Sequence, residues 1–261
     1  MPSVAPRLHL TDSQRHSAPT EPAGHRPVRN AVVIEGEVMP TIAIMGAGPG
    51  MGLAIAQTFG KQGHRVALLS RTPANLDPVV TELTGQGIEA AAFAADVTDR
   101  PSIVSGLAAV KQRFGQIDVF EYSPSNPALP MASSTELTYD NVQIQLDFFV
   151  HGAVAAVNQV LPEMLARGSG TILFTTGASS VRPEMGHDMF GNVAPAAAWL
   201  RSWAHGLHAA AAPRGVQVGH VAIGAWIGRR PGATAPEEIA PLYWDLHTHH
   251  DQVEKVYFPL P

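Results

Sequence analysis

The sequence predicts an α/β domain built on a doubly wound parallel sheet, with helices packed on both faces to make three layers. Three observations predict it. Short β-rich runs alternate with longer helical patterns from Pro40 onward. A glycine-rich turn follows the first β-rich run directly. The chain has 261 residues of which 45% are apolar, enough to bury one substantial core in a single domain.

Composition narrows the function classes. With 17 basic against 22 acidic residues and a formal charge of −5, the chain lacks the electrostatic footprint of a nucleic-acid binder. The absence of Cys excludes a thiol nucleophile and any Cys-ligated zinc or iron–sulfur centre. The expected partner is a small molecule, in a cytoplasmic setting without a membrane.

Residues 1–39 carry five prolines and no sustained period, so a disordered extension is expected there. They show neither a signal-peptide pattern nor an apolar run long enough to span a bilayer. A start at Met39 would instead open directly on the first strand, as Met-Pro-Thr-Ile-Ala-Ile.

Strands are expected at Thr41–Met45, Arg65–Ser70, Glu89–Ala94, Ile117–Tyr122, Thr171–Thr176 and Val216–Ile223, where β-branched and apolar residues cluster. Helices are expected at Gly50–Gln62, Asn75–Gly85, Pro101–Gly115, Thr138–Arg167 and Met189–Ala212, each with apolar residues three and four apart. A further helix is expected at Pro236–Thr248 and a last strand at Lys255–Leu260. Residues 224–237 read as a flap over a site, and the whole span 224–250 as its substrate side. No internal repeat is visible.

The first turn reads Gly46-Ala47-Gly48-Pro49-Gly50-Met51-Gly52. Its glycines permit a tight bend and let backbone N–H groups approach a pyrophosphate at a helix N-terminus. The spacing fails G-x-G-x-x-G but satisfies G-x-x-x-G-x-G through Gly46, Gly50 and Gly52. That pattern resembles the short-chain dehydrogenase/reductase family, whose fold is of the Rossmann type. The second strand ends in Ser70 and Arg71, where an NAD-preferring protein would place an acid to hold the ribose hydroxyls. A guanidinium there suits a 2′-phosphate, so the expected cofactor is NADP(H). Asp96 and Val97 match the family's adenine-facing pair, and the resemblance covers roughly residues 40–228. It implies a cofactor site made of Gly46, Gly48, Gly50, Met51, Gly52, Ser70, Arg71, Asp96, Val97, Ser123, Gly224 and Trp226. It also implies a homodimer or homotetramer built on the long helices, where an Ala-rich face at Ala194–Ala198 and Ala209–Ala212 permits close contact.

The family's usual chemistry uses a Tyr acid, a Lys four residues later, a Ser and an Asn. The only lysines are Lys61, Lys111 and Lys255, and no Tyr-x-x-x-Lys exists. Alignment on the helix ending at Arg214-Gly215 puts Phe190 at the Tyr position, Ala194 at the Lys, Gly177 at the Ser and Phe149 at the Asn. The family's Asn-Asn-Ala-Gly becomes Tyr122-Ser123-Pro124-Ser125.

Replacement proton donors are sought on the substrate-covering loop: His187, with Asp188 beside it, because an imidazole is a common general acid. Ser179 and Arg182 share that loop, and Tyr122 would face the nicotinamide from the end of the fourth strand. Glu121 reads as structural or paired, His151 as pointing away from the cofactor, and His220 as a satisfied core residue. The cluster His247 to His250 lacks the i,i+4 spacing of a metal pair, so no metal is expected.

Hydride transfer needs only the nicotinamide carbon held near an electrophile in a dry pocket. A protonated C=N already carries the charge that a Tyr acid helps a ketone to develop. The reading is therefore an atypical NADP(H)-dependent oxidoreductase acting on an imine, iminium or other activated electrophile. Two alternatives remain open, because fold does not choose function. One is a cofactor-binding sensor or partner protein without turnover; the other is a lyase, isomerase or cyclase reusing the pocket.

Overall fold

The structure is a computed structural model that describes residues 39–228 and 230–259. The expectations for residues 1–38 and for Leu260 lie outside the described residues.

Among the described residues, seven strands form one parallel sheet: β1 Thr41–Met45, β2 Arg65–Ser70, β3 Ala90–Ala94, β4 Val119–Tyr122, β5 Gly170–Gly177, β6 Val216–Ile223 and β7 Glu254–Tyr257. Their spatial order is β3-β2-β1-β4-β5-β6-β7. The order reverses between β1 and β4, which opens a crevice beyond their carboxyl ends, where doubly wound sheets bind ligands. The register pairs Ile44 with Glu121 and Glu121 with Leu173, so Glu121 sits mid-sheet with a strand on each side.

Helices α1 Met51–Gly60, α2 Asp77–Gly85, α3 Arg100–Phe114, α4 Tyr139–Gln145, α5 Gly152–Arg167, α6 Val193–Ala211, α7 Pro236–Ile239 and α8 Pro241–Thr248 complete the fold. One core joins the sheet to α3, α5 and α6 through Ile103, Leu107, Val157 and Leu200. The other joins it to α1, α2 and α8 through Ile55, Val79, Tyr243 and Leu246. Alternation along β4 sends Phe120 and Tyr122 into the first core and Val119 into the second.

Three elements depart from expectation. The helix foreseen at Thr138–Arg167 begins at its Thr138 capping box but is interrupted by a π-helical turn at Leu146–His151. The helix foreseen from Met189 begins only at Val193. Asn192 explains the delay: its buried side chain accepts from the Ala132 N–H and donates to the Pro130 and Asn141 carbonyls, fixing the preceding loop. Gly191 adds to this constraint, since a Cβ there would fall 2.2 Å from the Ser134 nitrogen. The helix foreseen at Pro236–Thr248 divides at Pro241, which has no N–H to continue the ladder. The run Tyr139–Arg167 is long and apolar enough to cross a membrane by length and composition alone, with half of its most apolar window buried in the protein.

Candidate active site

The β1–α1 turn is shaped by glycine where geometry demands it. Gly46 has φ +94°, and a Cβ there would lie 2.4 Å from the Pro124 Cα. The Gly46 and Ala47 N–H groups donate to the Leu69 carbonyl, closing the turn on β2. Gly48 and Gly50, by contrast, face open space, and α1 begins without a side-chain cap. This turn could cradle an anion: backbone approach is free and the helix N-terminus is available.

Three adjoining cavities extend from the cradle. One of about 260 Å³ lies beside Gly48, Ser70, Arg71, Ala95 and Val97. The main one, about 600 Å³, runs past Met51, Gly52, Ser123, Phe149, Thr175, Phe190 and Trp226. A third, about 350 Å³, continues past Ser179, Met185, Phe190 and Gly224. Among the described residues, no Asp, Glu, His, Lys, Arg or Tyr lines the main cavity.

Of the residues expected to hold a cofactor, all but Asp96 line one of these cavities. The Asp96 carboxylate instead accepts from the Thr98 backbone N–H and hydroxyl, both within 2.9 Å. It caps a local turn, leaving Ala95 and Val97 to face the cleft. The Ser70 hydroxyl donates to the Thr72 carbonyl, so Arg71, exposed at the rim, is the free-standing charge in this corner's lining. Trp226 stands at the mouth, 61% exposed, its ring centroid 6.5 Å from that of Phe190.

The proposed proton donors fare differently. Tyr122 is fully buried and outside the cavities, contrary to the expectation that it faces the nicotinamide. Its hydroxyl donates to the Phe148 carbonyl at 2.7 Å, and burial pushes its phenol far above the ordinary range. The cause is strand alternation, which turns Tyr122 toward α5, where it meets the π-helical turn. His187 and Asp188 are exposed and line none of the cavities; the Ser134 N–H donates to the His187 carbonyl. Arg182 lies over the Phe258 ring at 4.9 Å. Of the aligned family positions, Phe149, Gly177 and Phe190 line the main cavity, whereas Ala194 is buried behind it.

Three further histidines line none of the cavities and are held by side-chain contacts. His151 pairs with Asp147 at 2.8 Å on the surface. His247 packs among Phe59, His64 and Trp244, and its ring meets the Thr171 hydroxyl; burial lowers its pKa to about 4. His220 is buried between the Thr176 hydroxyl at 2.8 Å and Glu254 at 3.0 Å, and burial lowers its pKa to about 4.

Glu121, expected to be structural or paired, is fully buried and paired with two hydroxyls. The Glu121 carboxylate accepts from Thr175 and from Ser123, each at 2.7 Å, and both donors line the main cavity. Thr175 in turn meets the buried Tyr243 hydroxyl at 2.8 Å. Burial pushes the Glu121 carboxyl up to about 7, against the two hydrogen bonds that favour its charge. A Glu inside an apolar strand, with Ser two residues on and Thr175 on the neighbouring strand, was the available signal.

A family model of the short chain dehydrogenase matches residues 40–227. The chain belongs to the short-chain dehydrogenase family. This member is 31% identical over 145 residues to the oxidoreductase UcpA of Escherichia coli strain K12, covering 56% of this chain and 53% of that one. It is 31% identical over 153 residues to the 2,3-dihydro-2,3-dihydroxybenzoate dehydrogenase of Bacillus subtilis strain 168, covering 58% and 56%. The aligned region thus spans about half the length of these relatives. Among solved structures, a short-chain dehydrogenase from Rhodopseudomonas palustris superposes with TM-score 0.72 at 24% identity, over 85% of this chain and 99% of that one. The L-sorbose reductase of Gluconobacter frateurii, solved with NADPH and L-sorbose, gives TM-score 0.74 at 20% identity, over 85% and 95%. These likenesses establish the dehydrogenase fold of the chain.

Proposed function

We propose that this short-chain dehydrogenase is an NADP(H)-dependent oxidoreductase that reduces a small imine, iminium or similarly activated electrophile without a Tyr–Lys acid. The observation that carries the reading is a continuous cleft. It runs from Arg71 past an uncapped helix N-terminus to a cavity walled by Phe149, Phe190 and Trp226 and, among the described residues, lined by no ionisable side chain. The cradle suits the cofactor's pyrophosphate, because Gly48 and Gly50 leave open the space that a Cβ would occupy. Arg71 would hold the 2′-phosphate, Val97 the adenine side, and Ser123 and Thr175 would border the nicotinamide end. The cofactor, when bound, supplies the hydride. The NADPH present in the related L-sorbose reductase supports the choice of cofactor.

The chain's own contribution is a dry, apolar pocket in which a cation on the substrate needs no Tyr hydroxyl to develop charge. Calorimetric titration with NADPH, NADP⁺ and NADH tests the cofactor. NADPH should bind more tightly than NADH, and Arg71→Ala should remove roughly tenfold or more of that preference. Equal binding of the two, or binding of neither, would overturn the assignment. A substrate screen should find cyclic imines reduced before ketones. Tight NADPH binding with no turnover would favour a sensor or partner protein, and product formed without cofactor oxidation would favour a lyase, isomerase or cyclase.

The proposal includes a homodimer or homotetramer on the α5 and α6 surfaces, where Trp199 is 42% exposed. Sedimentation velocity should show one species larger than the 27.6 kDa chain.

A further inference from the structure

Among the described residues none that is titratable lines the main cavity, yet a carboxyl lies one hydroxyl behind its wall. Glu121 is buried between β1 and β5, with one oxygen 2.7 Å from the Ser123 hydroxyl and the other 2.7 Å from that of Thr175. The groups around it are Ile44 on β1, Leu173 and Thr175 on β5, and Tyr243 on α8. Of these only Tyr243 titrates, and burial together with the nearby Glu121 charge holds it neutral. No cation is among these partners, so among the described residues the carboxylate's hydrogen-bond donors are the two hydroxyls.

We propose that Glu121 and Ser123 form a proton relay into the main cavity, the carboxyl storing a proton and the Ser123 hydroxyl passing it to the substrate. The two protonation states use the same contact in opposite senses. With Glu121 ionised, Ser123 donates to it; with Glu121 protonated, the carboxyl donates to the Ser123 oxygen and frees that hydroxyl's own proton for the cavity. Burial tunes this acid to the range in which it serves as a donor at neutral pH.

The role of the relay in reduction rests on the NADP(H) reading above. The nitrogen lone pair of a C=N substrate takes the Ser123 proton, and the Ser123 oxygen takes the Glu121 proton, leaving a carboxylate. NADPH, were it bound, would supply the hydride and its electron pair to that carbon as the C=N π bond breaks, so that a neutral amine would result. The carboxylate left behind Ser123 stabilises the iminium that precedes this step. Water reprotonates Glu121 through Ser123 once the product has left.

Infrared spectroscopy of the full chain, following the C=O stretch of a buried protonated carboxyl, tests the relay independently of turnover. The expected result is one such band titrating near pH 7 and absent from Glu121→Gln. After transfer to D₂O, its deuterium exchange should slow roughly tenfold in Ser123→Ala. Should Glu121→Gln fail to fold, Thr175→Val removes a single donor to the carboxylate and should move the same titration upward. A carboxyl that stays ionised across the neutral range, or exchange indifferent to Ser123→Ala, overturns the relay. NADPH titrated into the same wild-type sample reads the cofactor separately. No binding there, beside a Ser123-dependent carboxyl, would overturn the NADP(H) assignment and leave the relay standing.

Discussion

A carboxyl in the middle of a parallel sheet, with no cationic partner among the described residues, has a thermodynamic signature. Glu121 titrates near 7 in the folded protein and near its ordinary 4.5 when unfolded, so the folded state binds the extra proton between these values. Its contribution is therefore fully present below pH 4.5 and is lost as the pH rises through 7, a change of about 3 kcal/mol. Denaturant titrations should show wild-type stability falling across that window and the Glu121→Gln profile flattened, with a parallel pH dependence in both refuting the assignment. At this scale the sequence was only partly legible. Strand alternation is enough to turn Tyr122 away from the cleft, but which tip each side chain reaches depends on partners from distant segments. Glu121 and Thr175 are 54 residues apart and meet only because β4 and β5 are neighbours.

Among the elements, the π-helical turn at Leu146–His151 is the one that shapes the site, since it carries both Phe148 and Phe149 into the cavity wall. Such turns recur at functional sites because they re-aim side chains that a regular helix would place elsewhere. The Tyr122 hydroxyl pins this turn through the Phe148 carbonyl. Tyr122→Phe leaves the ring packing intact and deletes that bond, so it should cost about 1–2 kcal/mol and weaken cofactor binding together. Chemical denaturation and calorimetry on one sample check both, and an unchanged affinity would confine Tyr122 to the core. The sequence foresaw the long helical run and its Thr138 start, but a period count does not register one wider turn. Nor does it register Asn192, whose hydrogen bonds to Pro130 and Asn141 delay α6 until after Phe190.

The whole molecule was legible earliest, because its signals are redundant. Six strands were foreseen from composition and spacing, a seventh from the C-terminal run, and the glycine turn located the crevice without any knowledge of long-range contacts. Less visible was how the sheet ends. The edge strand β7 is fastened by Glu254, which Arg201 of α6 grips with two donors and which His220 of β6 reaches at 3.0 Å. Burial opposes its charge, but the Arg201, His205 and His220 hydrogen bonds win and lower its pKa to about 2. His220, held neutral near 4, loses stability for the fold as the pH falls from its ordinary 6.5 through 4; Glu254 does so from 4.5 toward 2. Acid unfolding should begin below pH 6.5 on the His220 limb. Glu254→Gln should cost about 2 kcal/mol at neutral pH and abolish the lower limb, as circular dichroism against pH would reveal.

Trp226 gives the molecule an optical readout of its own cleft. An indole that is 61% exposed and stands beside Phe190 at the cavity mouth emits where its surroundings change most when the cleft fills. A reduced nicotinamide arriving there would accept its excitation energy, dimming the indole while brightening the dinucleotide. Trp203, Trp199 and Trp244 belong to other surfaces and contacts, so Trp226→Phe should remove most of the signal. Occupancy of the pocket can thus be read as colour, in a protein to which no dye has been attached.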